Sequence, residues 1–344
     1  MAYTDIDKSD DYFNTVLYTG TGATQSITGV GFQPDFTWIK RRSTLQDHNL
    51  YDAIRGATKA LESNSTSVEQ TKANDLTAFA SDGFTLGSGI KTNANGETHA
   101  SWNWLADNTS GSSNTDGSIT STVSANTTSG FSIVSYTGNG SDNATIGHGL
   151  GVKPDCLIVK NRDDGADGWG YWNKGMGAET QQMALNMTNA VFTDDVFKSS
   201  SSITVTLGID TWSNVNTEKY IMYAFAEKKG YSKFGSYTGN GSTNGTFVYT
   251  GFKPAWIMVK RTDSTNDWMM FDNKRDTFNT AQKYLRANLS NAEAGTTDYV
   301  DFLSNGVKFR RNGNDVNGSG ASYIYMAFAE NPFVTSTGIP ACAR

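Results

Sequence analysis

Cysteine, histidine and proline are scarce in this chain, with two, three and five copies among 344 residues. Neither Cys156 nor Cys342 has a CxxC neighbour, which removes redox and zinc motifs. Cys156 sits in the apolar run DCLIVK and reads as a buried free thiol. A basic excess is missing too. The net charge is −6 and the pI near 5.1, so the footprint that neutralises phosphates is absent and nucleic acid is excluded as a partner. No apolar run approaches the ~20 residues that span a bilayer, so no membrane insertion is expected. The start, MAYTDIDKSDDYF, has neither the basic end nor the apolar centre of a signal peptide. Synthesis in a cytoplasm follows, with any exit by a route other than general secretion. Apolar residues make up 37% and charged residues 18%, both below globular usage. Gly, Ser, Thr and Asn fill the difference, and they suit turns and neutral strand surfaces rather than long helices. The composition is all-β.

What is present is a repeated unit. Tyr18 to Lys40 (YTGTGATQSITGVGFQPDFTWIK), Tyr136 to Lys160 (YTGNGSDNATIGHGLGVKPDCLIVK) and Tyr237 to Lys260 (YTGNGSTNGTFVYTGFKPAWIMVK) are three versions of one stretch. Each runs from Tyr-Thr-Gly through a polar hairpin to Gly-apolar-X-Pro, then into a short apolar strand ending in Lys. In DFTWIK, Phe36, Trp38 and Lys40 share one face and Thr37 and Ile39 the other. Near-continuous apolar content predicts burial of both faces.

Residues 1–11 read as an acidic arm, 12–107 as the first β-sandwich unit, 108–129 as a linker, 130–229 as the second unit and 230–344 as the third with its tail. Ile119 and Val123 could add a short edge strand to the linker. Asp82-Gly83, Asp194-Asp195 and Asn305-Gly306 sit at matching hairpin turns, and Leu61, Leu185 and Leu285 align in matching short runs, read as strands. The closing runs SWNWLAD (101–107), YIMYAFAE (220–227) and YIYMAFAE (323–330) are apolar at nearly every position and short, so they read as central strands rather than helices. Seven or eight short strands per unit, with turns every 8 to 12 residues, is the pattern of three tandem β-sandwich or jelly-roll-like domains.

Chemistry-bearing motifs are few. The histidines fall at non-equivalent places; His48, beside Asp47, reads as solvated and His148 as a turn residue. GxSxG, HExxH and Walker patterns do not occur, so no catalytic residue, cofactor or metal is assigned. Asp163-Asp164-Gly-Ala-Asp167-Gly starts like an EF-hand loop but has Gly165 at position three and Lys174 at position twelve, which fails the ligand set. Asp52/Arg55 and Asp272/Arg275 read as structural ion pairs that the second unit replaces with Asn173 and Met176. Binding candidates are the loop acids Asp163, Asp164 and Asp167 and the aromatics beside loops, Trp169, Tyr171, Trp172, Trp212 and Trp268, taken as surface residues. Trp38, Trp102, Trp104 and Trp256 read as core.

The stretch from Tyr18-Thr-Gly through Gly31-Phe-Gln-Pro to Arg42, Asn95-Gly-Glu97 with Ser101-Trp-Asn-Trp104, Asn114 to Ile119 leading to Gly130–Gly138, and the closings at Glu227 and Glu330 carry a resemblance. The chain resembles a repeat domain common in structural proteins of tailed, especially marine, bacteriophages. The resemblance implies a non-enzymatic virion protein of the tail, tail fibre or spike that contacts the host surface and is released by lysis. Its expected partners are other virion proteins, further copies of itself (a trimer first) and a host surface glycan or outer-membrane receptor. The alternatives are a capsid or tail decoration protein and, lower, a capsular polysaccharide depolymerase. The absence of a collagen-like or coiled-coil stalk favours a compact spike, tip or decoration over a long fibre.

Overall fold

A computed structural model describes residues 4–342, so positions 1–3 of the N-terminal arm and 343–344 of the tail lie outside the described residues. Strand occupies 42% and helix 3% of the chain, and every ladder between named strands is antiparallel. The all-β reading holds.

One strand order occurs three times. In the first unit the opening strand Phe13–Thr19 pairs with the closing strand Thr98–Trp104, which pairs with the lysine strand Phe36–Arg41, which pairs with Asn49–Asp52. The same order links Phe131–Thr137, Lys219–Phe225, Cys156–Asn161 and Trp169–Asn173 in the second unit. It recurs through Ser232–Thr238, Ser322–Pro332, Phe252–Arg261 and Met269–Asp272 in the third. The closing runs are therefore central strands, as their uniform apolarity requires. A three-stranded sheet covers the outer face of each large sheet: Gln25–Ile27, Gly83–Leu86 and Leu76–Ala80 in the first unit, with counterparts in the other two. Each sandwich has its own core, such as Ile27, Ile39, Tyr51, Phe84 and Leu86 in the first.

The inner faces of the three large sheets meet in a fourth and larger core. Register places the inward residues of the closing strands in three layers: Trp104, Phe225 and Phe328; Trp102, Tyr223 and Met326; Ala100, Ile221 and Ile324. The lysine strands are thus buried on both faces, and Phe36 and Trp38 point inward while Ile39 joins the outer sandwich. The three units share this core, each contacting the other two.

Tyr-Thr-Gly has a specific cause. Tyr18, Tyr136 and Tyr237 donate their hydroxyls to the carbonyls of Thr92, Ser213 and Val316. The next residues, Asn93, Asn214 and Asn317, are fully buried and accept the backbone N–H of Thr21, Asn139 and Asn240. That seam leaves no space for a side chain: a Cβ on Gly20, Gly138 or Gly239 would stand 2.2–2.3 Å from the carbonyl oxygen of Ala94, Val215 or Gly318. Gly138→Ala is expected to cost about 1–3 kcal/mol by overpacking, measured as a lower denaturation midpoint; an unchanged midpoint would refute the close approach.

The terminal lysines of the apolar strands are buried without solvent exposure. Lys260 Nζ donates to the carbonyls of Arg261 (2.7 Å), Asn189 (2.9 Å) and Thr188 (3.2 Å), the last two from the neighbouring unit. Lys40 does the same to Arg41 and Ser290, and Lys160 to Asp164 and Asp167. Burial pushes Lys40 and Lys260 down to about 7 and Lys160 to about 8. The unfolded chain then binds more protons than the folded one between these values and the ordinary 10.5, so these groups make stability rise with pH from about 7 toward 10. The rise should shrink in Lys260→Met when midpoints at pH 7 and 9.5 are compared; parallel wild-type and variant profiles would contradict it.

Four expectations change. Residues 108–129 are not a free linker: Ser112–Asn114 and Ser121–Asn126 extend the second unit's large sheet beyond its opening strand. Ile119 bridges Ile146 and enters the second sandwich core. The polar composition misled because those strands need apolar residues on one face only. The second unit's hairpin joins Phe197–Ser200 to Thr204–Leu207, so its turn lies at 201–203 and Asp194-Asp195 connects different sheets. By register Met183, not Leu185, matches Leu61 and Leu285. The acidic arm is docked rather than solvated where it is described: Ile6 joins the shared core, Thr4 Oγ1 donates to Lys229 O, and Asp7 accepts from Ser336.

Candidate functional site

Most of the aromatic candidates belong to the interior. Trp169, Tyr171, Trp172 and Trp268 are at most 2% exposed, which removes them from the surface role assigned by their place beside loops. Trp169 and Trp268 occupy one register position, which His48 fills in the first unit. Their ring N–H groups donate to Glu62 O and Ala184 O, and His48 Nε2 lies 2.9 Å from Arg286 O. Each of these three contacts crosses to the neighbouring unit. His48 also accepts from Trp38 Nε1 at 2.8 Å and is fully buried, so its solvated reading is corrected; burial holds its pKa well below the ordinary value. His148 is likewise buried, its Nδ1 accepting Leu150 N in the turn. Adjacent to polar loop residues, these rings looked exposed; packing between units covers His48, Trp169, Tyr171 and Trp268, while Trp172 and His148 are covered within the second unit.

Buried charge is concentrated at two of the three junctions. Arg55 Nε meets Asp52 Oδ2 at 2.5 Å with both side chains fully buried, and Arg55 also donates to Leu50 O and Lys59 O. Tyr223 OH of the second unit donates to Asp52 Oδ2 at 2.8 Å. Glu69 lies 3.3 Å from Arg55 and takes two 2.9 Å hydrogen bonds from Arg162 of the second unit. The third unit repeats the arrangement against the first: Arg275 with Asp272, Trp102 Nε1 donating to Asp272 Oδ2, and Arg42 paired with Glu293 through two 2.9 Å bonds. Each oxygen of these four carboxylates accepts from at least one protein donor. The arrangement holds units together.

The remaining candidates surround the second unit's outer loops. Asp163 accepts Lys219 N, Asp164 accepts Ala166 N, and Asp167, nearly buried, accepts Asn161 Nδ2 and Thr211 Oγ1 at 2.7 Å each. The three acids serve separate local bonds, and among the described residues no group of three or more His, Cys, Asp or Glu is arranged to hold a metal ion. Asp167 and Trp212 do come together, because Thr211 precedes Trp212. The Trp212 ring lies over Gly168, 2.8 Å from where a Cβ would stand, and meets Phe192 edge-on at 6.1 Å. Asp210 accepts Trp212 N at 2.7 Å; burial first, then the charges of Asp194 and Asp167, raise its pKa. The result is a half-buried indole and phenyl beside the half-buried acids Asp194 and Asp210, with exposed Ile209 next to Asp210 and Asp167 buried alongside with both oxygens already accepting. Such a face can stack on a flat apolar surface and accept hydrogen bonds from hydroxyls. Asp210 and Phe192 were not singled out by sequence; the signal available was Asp two residues before Trp, an Asx-turn spacing.

Sheet order and buried charge together define a β-sandwich protein whose units are joined by buried ion pairs. Residues 8–332 match the family described as "Domain of unknown function (DUF7483)", and the chain belongs to that family. No curated protein and no solved structure matches the chain. Among the described residues no helix is long and apolar enough to cross a membrane.

Proposed function

We propose that this chain is a non-enzymatic structural component of a bacteriophage virion, carried on the tail, its fibres or a spike, and that it contacts the host surface. The observation that carries the reading is the shared inner core. Three units joined by buried ion pairs at two junctions and by layered aromatics share one interior, while the half-buried Trp212 and Phe192 reach the surface of the second unit. The resemblance of the repeat to phage structural proteins supplies the setting. Its partners are neighbouring virion proteins and a host glycan or outer-membrane receptor, with the Asp167–Trp212 face as the contact. Self-association, where it occurs, uses surfaces other than those that already join the three units. Weak contacts gain from display in many copies, by roughly 10²–10⁴ over a single site.

Binding of purified protein to host envelope fractions, compared with Trp212→Ala, tests the reading. Loss of binding in a folded variant supports it; a folded wild type that binds no fraction rejects host contact. Locating the protein in intact particles by cryo-electron microscopy separates a tail position from high copy number on the head, which would select decoration.

A further inference from the structure

We infer that the three junctions are written in two alternative residue sets whose distribution fixes which unit may sit beside which. Each junction joins the edge of one unit, near Asn49–Asp52 or its counterpart, to the inner face of the next. One backbone bond is common to all three: Glu69 N to Arg162 O, Glu293 N to Arg42 O, and Val191 N to Thr262 O. Around it the side chains change together. Where the edge carries Asp52, Arg55 and Glu69, the opposing face carries Tyr223 and Arg162. Where it carries Asp272, Arg275 and Glu293, the face carries Trp102 and Arg42. At the third junction the edge has Asn173, Met176 and Val191 and the face has Met326 and Thr262, with Asn173 Nδ2 donating to Tyr325 O at 3.0 Å. Acceptor and donor are lost as a set, so no charge is left buried without its partner.

Mixed pairings are costly by the same chemistry. An Asp-Arg-Glu edge against Met326 and Thr262 would deprive Asp52 or Asp272 of its donor from the opposing face and Glu69 or Glu293 of its arginine partner, and an apolar edge would strand the guanidinium of Arg42 or Arg162. The second unit has a charged face but an apolar edge; the third has the reverse. Neither matches itself. The first unit alone has a charged face and a charged edge, so its inner surface fits a second copy of itself. The covalent order 1–2–3 uses the charged set between units 1 and 2 and where unit 3 closes on unit 1, and the apolar set between units 2 and 3; an edge that fits only one of the three faces limits mispairing of units between neighbouring chains. This inference does not depend on the function proposed above.

The test is made in the full chain. At the junction of units 1 and 2, the edge half Asp52→Asn, Arg55→Met and Glu69→Val, the face half Tyr223→Met and Arg162→Thr, and all five together are compared by urea denaturation. Each half is expected to lower the midpoint more than the five changes together; a combined loss equal to the sum of the halves overturns the matched sets. For the ordering role, the third junction is given the charged set through Asn173→Asp, Met176→Arg, Val191→Glu, Thr262→Arg and Met326→Trp. After refolding at high concentration, light scattering should show more chain-exchanged oligomer than wild type. Equal fractions, or a wild type that exchanges as readily, overturn the ordering role. If this variant fails to fold, the non-additivity measurement still decides whether the sets are matched.

Discussion

Arg55→Met is expected to destabilise the protein by about 3–5 kcal/mol, the range for removing one partner of a buried pair. The side chain has no solvent exposure and holds Asp52, Glu69, Leu50 O and Lys59 O at once. Methionine fills the volume but leaves the Asp52 carboxylate buried with Tyr223 OH as its remaining side-chain donor. The second unit shows what relieves this, because Met176 there stands at the arginine position and Asn173 at that of the acid. Asp52→Asn added to Arg55→Met should therefore recover part of the loss, since a neutral amide costs less to bury than a carboxylate. Urea denaturation of both variants checks it. A double variant weaker than the single one by a further full increment would show that Asp52 was not left uncompensated.

Phe328→Ala should cost a similar ~3–5 kcal/mol through lost transfer energy and the cavity left behind. Its ring lies within 5.1–6.2 Å of the rings of Phe13, Trp104, Phe225, Tyr231, Trp256 and Phe234, drawn from all three units. The packing leaves little freedom for collapse, because five of the six neighbours are themselves fixed in strands. The larger consequence is cooperative. If the inner core is common, the midpoint falls for all units together and a single transition remains by fluorescence and by far-UV circular dichroism. A variant in which the third unit melts first, leaving two transitions, would show that the sandwich cores suffice alone.

Much of the fold was legible because the signals were local. Tyr-Thr-Gly marks a backbone seam too tight for any Cβ, so glycine recurs at positions 20, 138 and 239 whatever surrounds it. The alternation in DFTWIK assigned Phe36, Trp38 and Lys40 to one face without reference to a partner. Failures came where the deciding contact lay far along the chain. His48 and Trp169 were misjudged as exposed because the carbonyls that receive them, Arg286 and Glu62, are 238 and 107 residues away. Residues 108–129 looked like a tether because small polar side chains suit an edge strand as well as a loop.

By itself, the sequence determined the strand-forming composition, the threefold recurrence of one unit and the buried face of each central strand, since these follow from side-chain period and backbone sterics within a few residues. Only the tertiary structure decided that the three inner faces share one core and that Asp52, Arg55 and Glu69 belong to a junction between units. It also decided that Asp167, Asp194, Asp210 and Trp212 gather on one face. The reason is physical: the burial that gives a charge or an indole its role is created by whichever surface closes over it, and here that surface comes from another unit or a distant loop.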